Sequence, residues 1–168
     1  MGYVHDTQMC QIIPQSMIQK SAGTWTPTLA SNTVGDVRTA ADASFNLFVP
    51  IMLPSNAAAY KGAKLVSIDV HYKIATAAAD DFATVELEKV SIASTGAVTG
   101  AAVSVTIDGD HDAAAERKAV DDHYMTITLD TPAWIDKDEV YWLYMVVDAA
   151  AGTVFTLWGV KANFTLRV

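Results

Sequence analysis

A strict alternation of apolar and polar side chains near the middle of the chain constrains the fold more than any other feature. The alternating positions are Val66, Ile68, Val70, Tyr72 and Ile74 on the apolar side and Ser67, Asp69, His71 and Lys73 on the polar side. Successive side chains of a β-strand point to opposite faces, so this spacing gives one apolar row and one polar row. The segment therefore predicts a half-buried β-strand.

Seven further segments carry strand patterns separated by turn-prone residues. With the first one included, they run near 24–30, 45–53, 64–75, 82–92, 102–108, 123–130, 139–148 and 153–167. This spacing is typical of an all-β sandwich or barrel. Pro50 lacks a backbone donor, which places its segment at a sheet edge or at a crossing between sheets. A change of apolar phase in the fourth segment predicts a β-bulge around Glu88 and Lys89.

We predict an all-β fold in which residues 24–168 form an antiparallel two-sheet sandwich and residues 1–23 form a non-β N-terminal arm. Among sandwiches we favour a jelly roll, with another Greek-key sandwich or a closed barrel as the alternatives. The preference rests on the last two segments, which are long and joined by the short connection 148–152, whereas earlier connections are longer. These two strands would pair as a hairpin if they were adjacent in one sheet.

The N-terminal arm shows scattered apolar residues around Pro14 without a sustained period of two. It is either a disordered leader or a segment that lies on a neighbouring subunit or another protein. If the arm is ordered, something must cover its apolar side chains, and these then become candidates for docking on a particle. The candidates are Ile12, Ile13, Met17 and Ile18.

Charge and composition argue against two classes of partner. The chain has 19 acidic and 11 basic residues and a formal net charge of −8, which repels phosphate backbones, so we expect no nucleic-acid partner. No apolar run approaches the roughly 18 residues that a membrane helix needs, and we expect no membrane partner. Cys10 is the single cysteine and cannot form an internal disulfide.

A surplus of apolar surface on the last two strands suggests an interface. In residues 140–147 both alternating rows are apolar, so each face must be covered, while the last strand adds apolar side chains opposite its core row. The cover could be the chain's own loops, another copy of the chain or a stacked sugar ring. The interface interpretation assigns self-association to Trp142, Tyr144, Phe155 and Leu157.

An acidic loop provides a weak metal candidate. Asp108, Asp110 and Asp112 occupy the first three ligand positions of an EF-hand loop, but Ala113 replaces the glycine and Ala119 the final glutamate. The loop therefore fails as an EF-hand and remains only a weak candidate for another kind of calcium site, against the simpler interpretation of a solvated turn. We predict no cofactor.

Catalytic motifs are missing from the sequence. The four histidines are scattered, and no HExxH, GxSxG, P-loop or GxGxxG pattern occurs. A carboxylate pair such as Asp69 and Glu86 could in principle support glycosidase chemistry, but any acidic β-protein offers such pairs. We therefore predict that the protein is not an enzyme.

Three stretches carry a resemblance to a known group of proteins. They are GAKLVSIDVHYKIATAAADDFATVELEKVSI, DGDHDAAAERKAVDDHYMTITLDTPAWIDKDEVYWLYMVVDAA and FTLWGVKANFTLRV. Over about residues 45–168 the chain resembles small β-proteins encoded beside the structural genes of tailed bacteriophages. The resemblance implies a virion component of jelly-roll type, such as a capsid-decoration, head-fibre or tail-associated subunit, which commonly assembles as a trimer. It transfers no site residues.

These observations predict a non-enzymatic structural protein of a phage virion, made in the host cytoplasm. We expect it to associate with itself as a homotrimer and to dock on the major capsid protein or another virion protein. The alternative is a receptor- or glycan-binding module of a phage tail or fibre, in which aromatic side chains stack on sugar and the acidic loop orders calcium.

Overall fold

The computed structural model describes residues 5–30, 33–54 and 62–167. In this part of the chain, twelve strands form two sheets, accompanied by a 3₁₀ helix (Gln15–Met17) and a short helix α1 (Ala114–Arg117). The strands are β1 (Asp6–Pro14), β2 (Gln19–Lys20), β3 (Trp25–Ala30), β4 (Thr33–Arg38), β5 (Ala43–Ile51), β6 (Ala63–Ala75), β7 (Asp81–Ile92), β8 (Val98–Val103), β9 (Val105–Ile107), β10 (Asp121–Trp134), β11 (Glu139–Ala149) and β12 (Val154–Arg167).

The two sheets pack face to face as a sandwich, which confirms the predicted all-β fold. The seven-stranded sheet has the order β3-β4-β12-β6-β10-β9, and β1 pairs with β12 on the same edge as β4. The five-stranded sheet has the order β2-β5-β11-β7-β8. Every pairing between these strands is antiparallel.

Strand order identifies the sandwich as a jelly roll. Four strands of one sheet, β4-β12-β6-β10, face four strands of the other, β5-β11-β7-β8. This interleaved order is the double-sheet jelly-roll arrangement. β11 and β12 lie in opposite sheets and therefore do not form a hairpin; their short connection crosses from one sheet to the other.

The core lies between the two sheets and is filled by alternating inward-facing rows. The alternation that predicted β6 is confirmed from Ile68 to Ile74, where the apolar row is buried and the polar row faces outward. It is wrong at Val66, which is half-buried, because the register of β6 with β10 and β12 skips this residue and Leu65 takes the core position. The opposite sheet supplies the matching rows of β5 and β11. The inward residues of these three strands are Ala63, Leu65, Ile68, Val70, Tyr72, Ile74, Phe45, Leu47, Val49, Ile51, Tyr141, Leu143, Met145, Val147 and Ala149.

β12 inverts its phase at Gly159. Its register with β6 shifts between Leu157 and Gly159, and Gly159 has a φ of +150°. Phe155 and Leu157 face the core before the shift, and Val160 and Ala162 face it afterwards. The prediction that Phe155 and Leu157 lie on an outer face is therefore wrong, because it assumed one uninterrupted alternation along the strand.

The N-terminal segment is part of the sandwich, so the predicted non-β arm is wrong for the described residues. β1 pairs with β12 without interruption from Asp6 opposite Arg167 to Pro14 opposite Gly159. Ile13 and Ile18 are buried in the core. Residues 1–4 of the predicted arm lie outside the described part of the chain.

The predicted bulge in β7 is also misplaced. β7 pairs continuously with β11 from Thr84 to Ser91, and the register shift lies between Asp81 and Thr84. The apolar phase changes because Val90 faces outward opposite Val140, not because the strand is interrupted.

Pro50 lies on β5, past the two residues of that strand, Leu47 and Phe48, that pair with β2. Its missing backbone donor therefore faces a sheet edge, as predicted.

The inversion at Gly159 yields a stability prediction. Gly159→Ala should lower the free energy of unfolding by roughly 1–3 kcal/mol, since an L-residue at this φ is strained. The new Cβ would also lie 3.3 Å from the carbonyl oxygen of Ile13. Gly109→Ala is the control, because its Cβ would meet no atom within 4 Å. Urea unfolding measures both, and equal midpoints for the two variants would contradict the assignment.

Candidate interaction surfaces

The outer face of the five-stranded sheet carries a group of apolar side chains that we call the aromatic face: Phe48, Pro50, Val140, Trp142 and Tyr144. On paired strands, Trp142 lies opposite Pro50 and Tyr144 lies opposite Phe48. The rings of Phe48 and Tyr144 are 4.9 Å apart between centroids. Val140 is exposed and the other four side chains are half-buried, so the aromatic face borders solvent in the isolated chain.

The rim of the aromatic face is acidic on one side. Glu88 lies opposite Trp142 and Glu86 opposite Tyr144 on the neighbouring strand β7. An uncharged apolar centre with charged residues at its margin is the composition of a protein–protein interface. Aromatic rings beside carboxylate acceptors can also hold a sugar ring, because the ring faces stack and the carboxylates accept hydroxyl hydrogens.

Only two of the four residues predicted to mediate self-association lie on this surface. Trp142 and Tyr144 lie side by side on the aromatic face, whereas Phe155 and Leu157 belong to the core. Sequence reasoning missed Phe48, which follows Ser44 and Asn46 in the outward row of β5. The sequence signal that could have identified Phe48 was a large aromatic residue at an outward-facing position of a strand.

The predicted docking set also divides. Ile12 is 72% exposed and Met17 is 40% exposed, whereas Ile13 and Ile18 are core residues. The docking role assigned to Ile13 and Ile18 is wrong, because neither can reach another protein while the sandwich is folded. Ile12 borders a shallow cavity of about 240 Å³ on the outer face of the seven-stranded sheet, which Trp158 also lines.

The outer face of the seven-stranded sheet is closed by a polar network around Asp69. The side chain of Asp69 is 3% exposed although it points away from the core. It pairs with the Lys161 ammonium at 2.7 Å and accepts hydrogen bonds from Asn163 Nδ2 at 2.9 Å and Thr126 Oγ1 at 3.1 Å. The Tyr124 ring packs 4.7 Å from the imidazole of His71, which lies beside this network. The part of this face around Asp69 is therefore a satisfied polar surface, unlike the aromatic face.

The network sets the charge states of its members. Burial alone would raise the pKa of Asp69, but hydrogen bonds from Lys161, Asn163 and Tyr124 outweigh it and lower that pKa. Burial lowers the pKa of His71, with the Lys161 charge acting in the same direction against the opposing effect of Asp69. Asp69 is thus held as a carboxylate.

This arrangement predicts how acid affects stability. Because the folded-state pKa of Asp69 lies below its unfolded value of about 3.9, its contribution is present above that pH and is lost as the pH falls through the folded pKa. Asp69→Asn should lower the free energy of unfolding by about 1–3 kcal/mol at pH 7, with a smaller difference from wild type in acid. Urea unfolding between neutral and acidic pH measures the difference.

Asp122→Asn on the same outer face is the matched control. Its partner is Lys73 at 3.0 Å, and both side chains are well exposed to water, so the substitution should leave the unfolding free energy nearly unchanged. A similar loss in the two variants would show that burial of Asp69 contributes nothing special.

Asp69 cannot act with Glu86 as a carboxylate pair. Asp69 faces outward from the seven-stranded sheet and Glu86 outward from the five-stranded sheet, so the core separates them. Packed sheets are about 10 Å apart before outward side chains are added, which exceeds the reach of a retaining or inverting pair.

The acidic loop after β9 is held by its own hydrogen bonds. Asp108 accepts hydrogen bonds from the backbone nitrogens of Thr126 at 2.5 Å and Asp110 at 3.1 Å, and its carboxylate lies 2.8 Å from His111 Nδ1. Burial opposes these contacts, yet together they lower the pKa of Asp108. In the described residues no three His, Cys, Asp or Glu side chains converge on a metal position, so Asp108, Asp110 and Asp112 do not form the ligand set that the calcium candidate required.

Beneath this loop lies Arg117, which is buried and donates to backbone carbonyls on both sides. Its guanidinium reaches the carbonyl oxygens of Phe82 at 2.8 Å, His111 at 2.6 Å and Asp112 at 2.8 Å. Tyr72 donates in turn to the carbonyl of Arg117 at 2.8 Å. Arg117 therefore anchors the loop to the sandwich, which gives it a structural role.

Within the described ranges, no helix has the length and apolar character to cross a membrane.

Comparison with known proteins adds little to this geometry. No protein-family model matches the chain. No curated protein matches its sequence. Among solved structures, it is similar to the enzymatically active domain of tailspike protein 4 of bacteriophage CBA120, with 7% sequence identity and a TM-score of 0.35. The match covers 92% of this chain and only 19% of that protein, and a likeness this low carries no argument about function.

Proposed function

We propose that the protein is a non-enzymatic structural subunit of a bacteriophage virion, of capsid-decoration or head-fibre type. It associates with copies of itself and docks on the particle through the major capsid protein or another virion protein. The observation that supports this most strongly is the aromatic face, an apolar surface on a jelly-roll sandwich whose core is already complete without it. The phage context comes from the sequence resemblance over about residues 45–168.

Charge favours the aromatic face as the site of self-association. Two copies of a chain with a net charge of −8 repel each other, so contact is easiest where no charge has to be buried. The outward rows of β5 and β11 near Phe48, Trp142 and Tyr144 are uncharged, with Glu86 and Glu88 only along the β7 side. Trp and Tyr are enriched in interface centres because they bury much apolar area and keep a polar tip.

Solution mass tests self-association. The wild-type chain should sediment as a homotrimer of 18.0-kDa subunits or as a larger assembly built from trimers, and the double variant Trp142→Ser, Tyr144→Ser should be no larger than a dimer because the apolar contact of the trimer is lost. Tyr124→Ser is the matched control, since Tyr124 is an exposed aromatic residue on the other outer face and its loss should leave the trimer intact. A wild-type chain no larger than a dimer at all concentrations, or an unchanged mass in the double variant, would refute trimer formation through the aromatic face.

Docking on the particle is tested separately at Met17, the exposed member of the predicted docking set outside β1. Met17→Glu should weaken binding to particles of the encoding phage that lack this protein by about tenfold or more, because an apolar contact is replaced by a charge. Leu29→Glu is the control, being an exposed apolar residue on β3 outside the predicted docking set. Equal occupancy of the particle by the two variants would remove the docking role of Met17.

The alternative function is a receptor- or glycan-binding module of a phage tail or fibre. The paired rings of Phe48 and Tyr144 beside Trp142, with Glu86 and Glu88 as acceptors, favour it specifically. A glycan array tests this alternative. If the wild-type chain is monomeric and binds a glycan, and the double variant Trp142→Ser, Tyr144→Ser loses that binding, the alternative is supported over the structural role.

A further inference from the structure

β1 is a long strand at the border of the seven-stranded sheet. It pairs with β12 along its whole length, and in the part of the chain that the structure describes it pairs with no second strand. Its other edge therefore offers a row of backbone donors and acceptors over residues 7–13. Such an edge is a template for another strand, and natural proteins usually protect it.

The free edge of β1 lacks the usual protection. Residues 7–13 contain no charged residue, no proline and no bulge, since the register with β12 is continuous. The other strands that end the sheet orders are short or interrupted: β2 has two residues, β9 has three, β3 contains Pro27 and β8 contains Gly100. Each of these features discourages pairing of the edge with another strand. β1 is therefore the long edge best suited to accept a strand.

The side chains along this edge suit a second copy of the same chain. Residues 9–13 read Met-Cys-Gln-Ile-Ile, which places two apolar residues on each side of Gln11. A two-fold axis at Gln11 places Cys10 beside the exposed Ile12 of the partner subunit on the outer side of the sheet, and it does so twice. Met9 lies opposite Ile13 of the partner subunit in the backbone register, but the side chain of Ile13 stays in its own core. Cross-strand apolar pairs of this kind stabilise antiparallel sheets. The segment is thus complementary to itself in polarity.

Exposure and charge agree with this pairing. Met9, Cys10 and Ile12 are exposed in the isolated chain, so their apolar surface is available to a partner. Residues 7–13 are uncharged although the whole chain carries −8, so two copies can meet here without burying like charges.

We propose that β1 pairs antiparallel with β1 of a second copy, with Gln11 opposite Gln11 of the partner subunit. The two seven-stranded sheets then become one continuous sheet across a two-fold axis, an isologous interface. This interface is distinct from the aromatic face and leaves that face free. It covers Ile12, so docking on a particle falls to Met17 of the original docking set.

Disulfide trapping tests the pairing and its register. In a Cys10→Ser background, Gln11→Cys should give a covalent dimer on mild oxidation, because opposed Cα atoms of antiparallel strands lie about 4.5–5.5 Å apart, within disulfide range. Cys10→Ser with Ala101→Cys is the matched control, placing one exposed cysteine on the free edge of β8. The dimer at Gln11→Cys should form on the order of tenfold faster or more, as expected for a pre-associated pair.

Edge variants supply the second readout. Ile12→Lys in the same Gln11→Cys background should abolish the covalent dimer, because a lysine on an edge strand blocks pairing. Val98→Lys is the control at an exposed position of β8 and should leave the dimer unchanged. If Ile12→Lys lowers the melting temperature, Met9→Lys replaces it, since Met9 is also exposed.

Three results would overturn the proposal. They are cross-linking at Gln11→Cys no faster than at Ala101→Cys, a dimer that survives both lysine variants, and faster cross-linking of wild-type Cys10 than of Gln11→Cys, which would exclude this register. Trapping at Gln11→Cys should persist in the Trp142→Ser, Tyr144→Ser background. Failure of the β1 pairing and failure of self-association through the aromatic face are therefore separable.

Discussion

The phase inversion of β12 at Gly159 is the constraint on which the rest of the structure depends. β12 pairs with β6 along one edge, and along the other with β4 before the inversion and β1 after it. Without the inversion, one half of β12 would turn its apolar row away from the core. With it, Phe155 and Phe164 both face inward, although their positions differ by nine and an uninterrupted alternation would put them on opposite faces. The outward indole of Trp158 lies where a side chain on Gly35 would be, so β4 can approach only because that residue is glycine.

The two outer faces of the sandwich have become different surfaces. On the seven-stranded sheet, Asp69 and Lys161 neutralise each other and consume their hydrogen-bonding capacity internally. On the five-stranded sheet, Trp142 and Tyr144 form an apolar surface that the described residues cover only in part. This asymmetry favours the aromatic face as a place where further molecules add to the structure, and it leaves the surface around Asp69 in contact with solvent.

Periodicity made part of this predictable. β6 alternates cleanly because one of its faces is core and the other polar, and β11 is apolar on both faces because its outer row contains Trp142 and Tyr144. A local inversion is invisible to periodicity, so Phe155 and Leu157 were assigned to the wrong face. β1 was missed because Ile13 alone of its residues is buried, which leaves no alternation to detect.

Contacts between distant segments lie beyond this kind of reasoning. Asp69 and Asn163 are 94 positions apart, and only the adjacency of β6 and β12 brings them together. Strand order depends on how the whole chain wraps, which one strand's pattern does not encode. Phe48 joins Tyr144 for the same reason, through the pairing of β5 with β11.

Self-association would cover the aromatic face with further copies of the chain. Hydroxyl-radical footprinting across a range of protein concentrations tests it most directly, because it reports the solvent accessibility of individual aromatic side chains. We expect labelling of Trp142 and Tyr144 to fall as the protein associates, while labelling of Tyr124 on the opposite outer face stays constant. Equal labelling of Trp142 and Tyr144 at every concentration would contradict it.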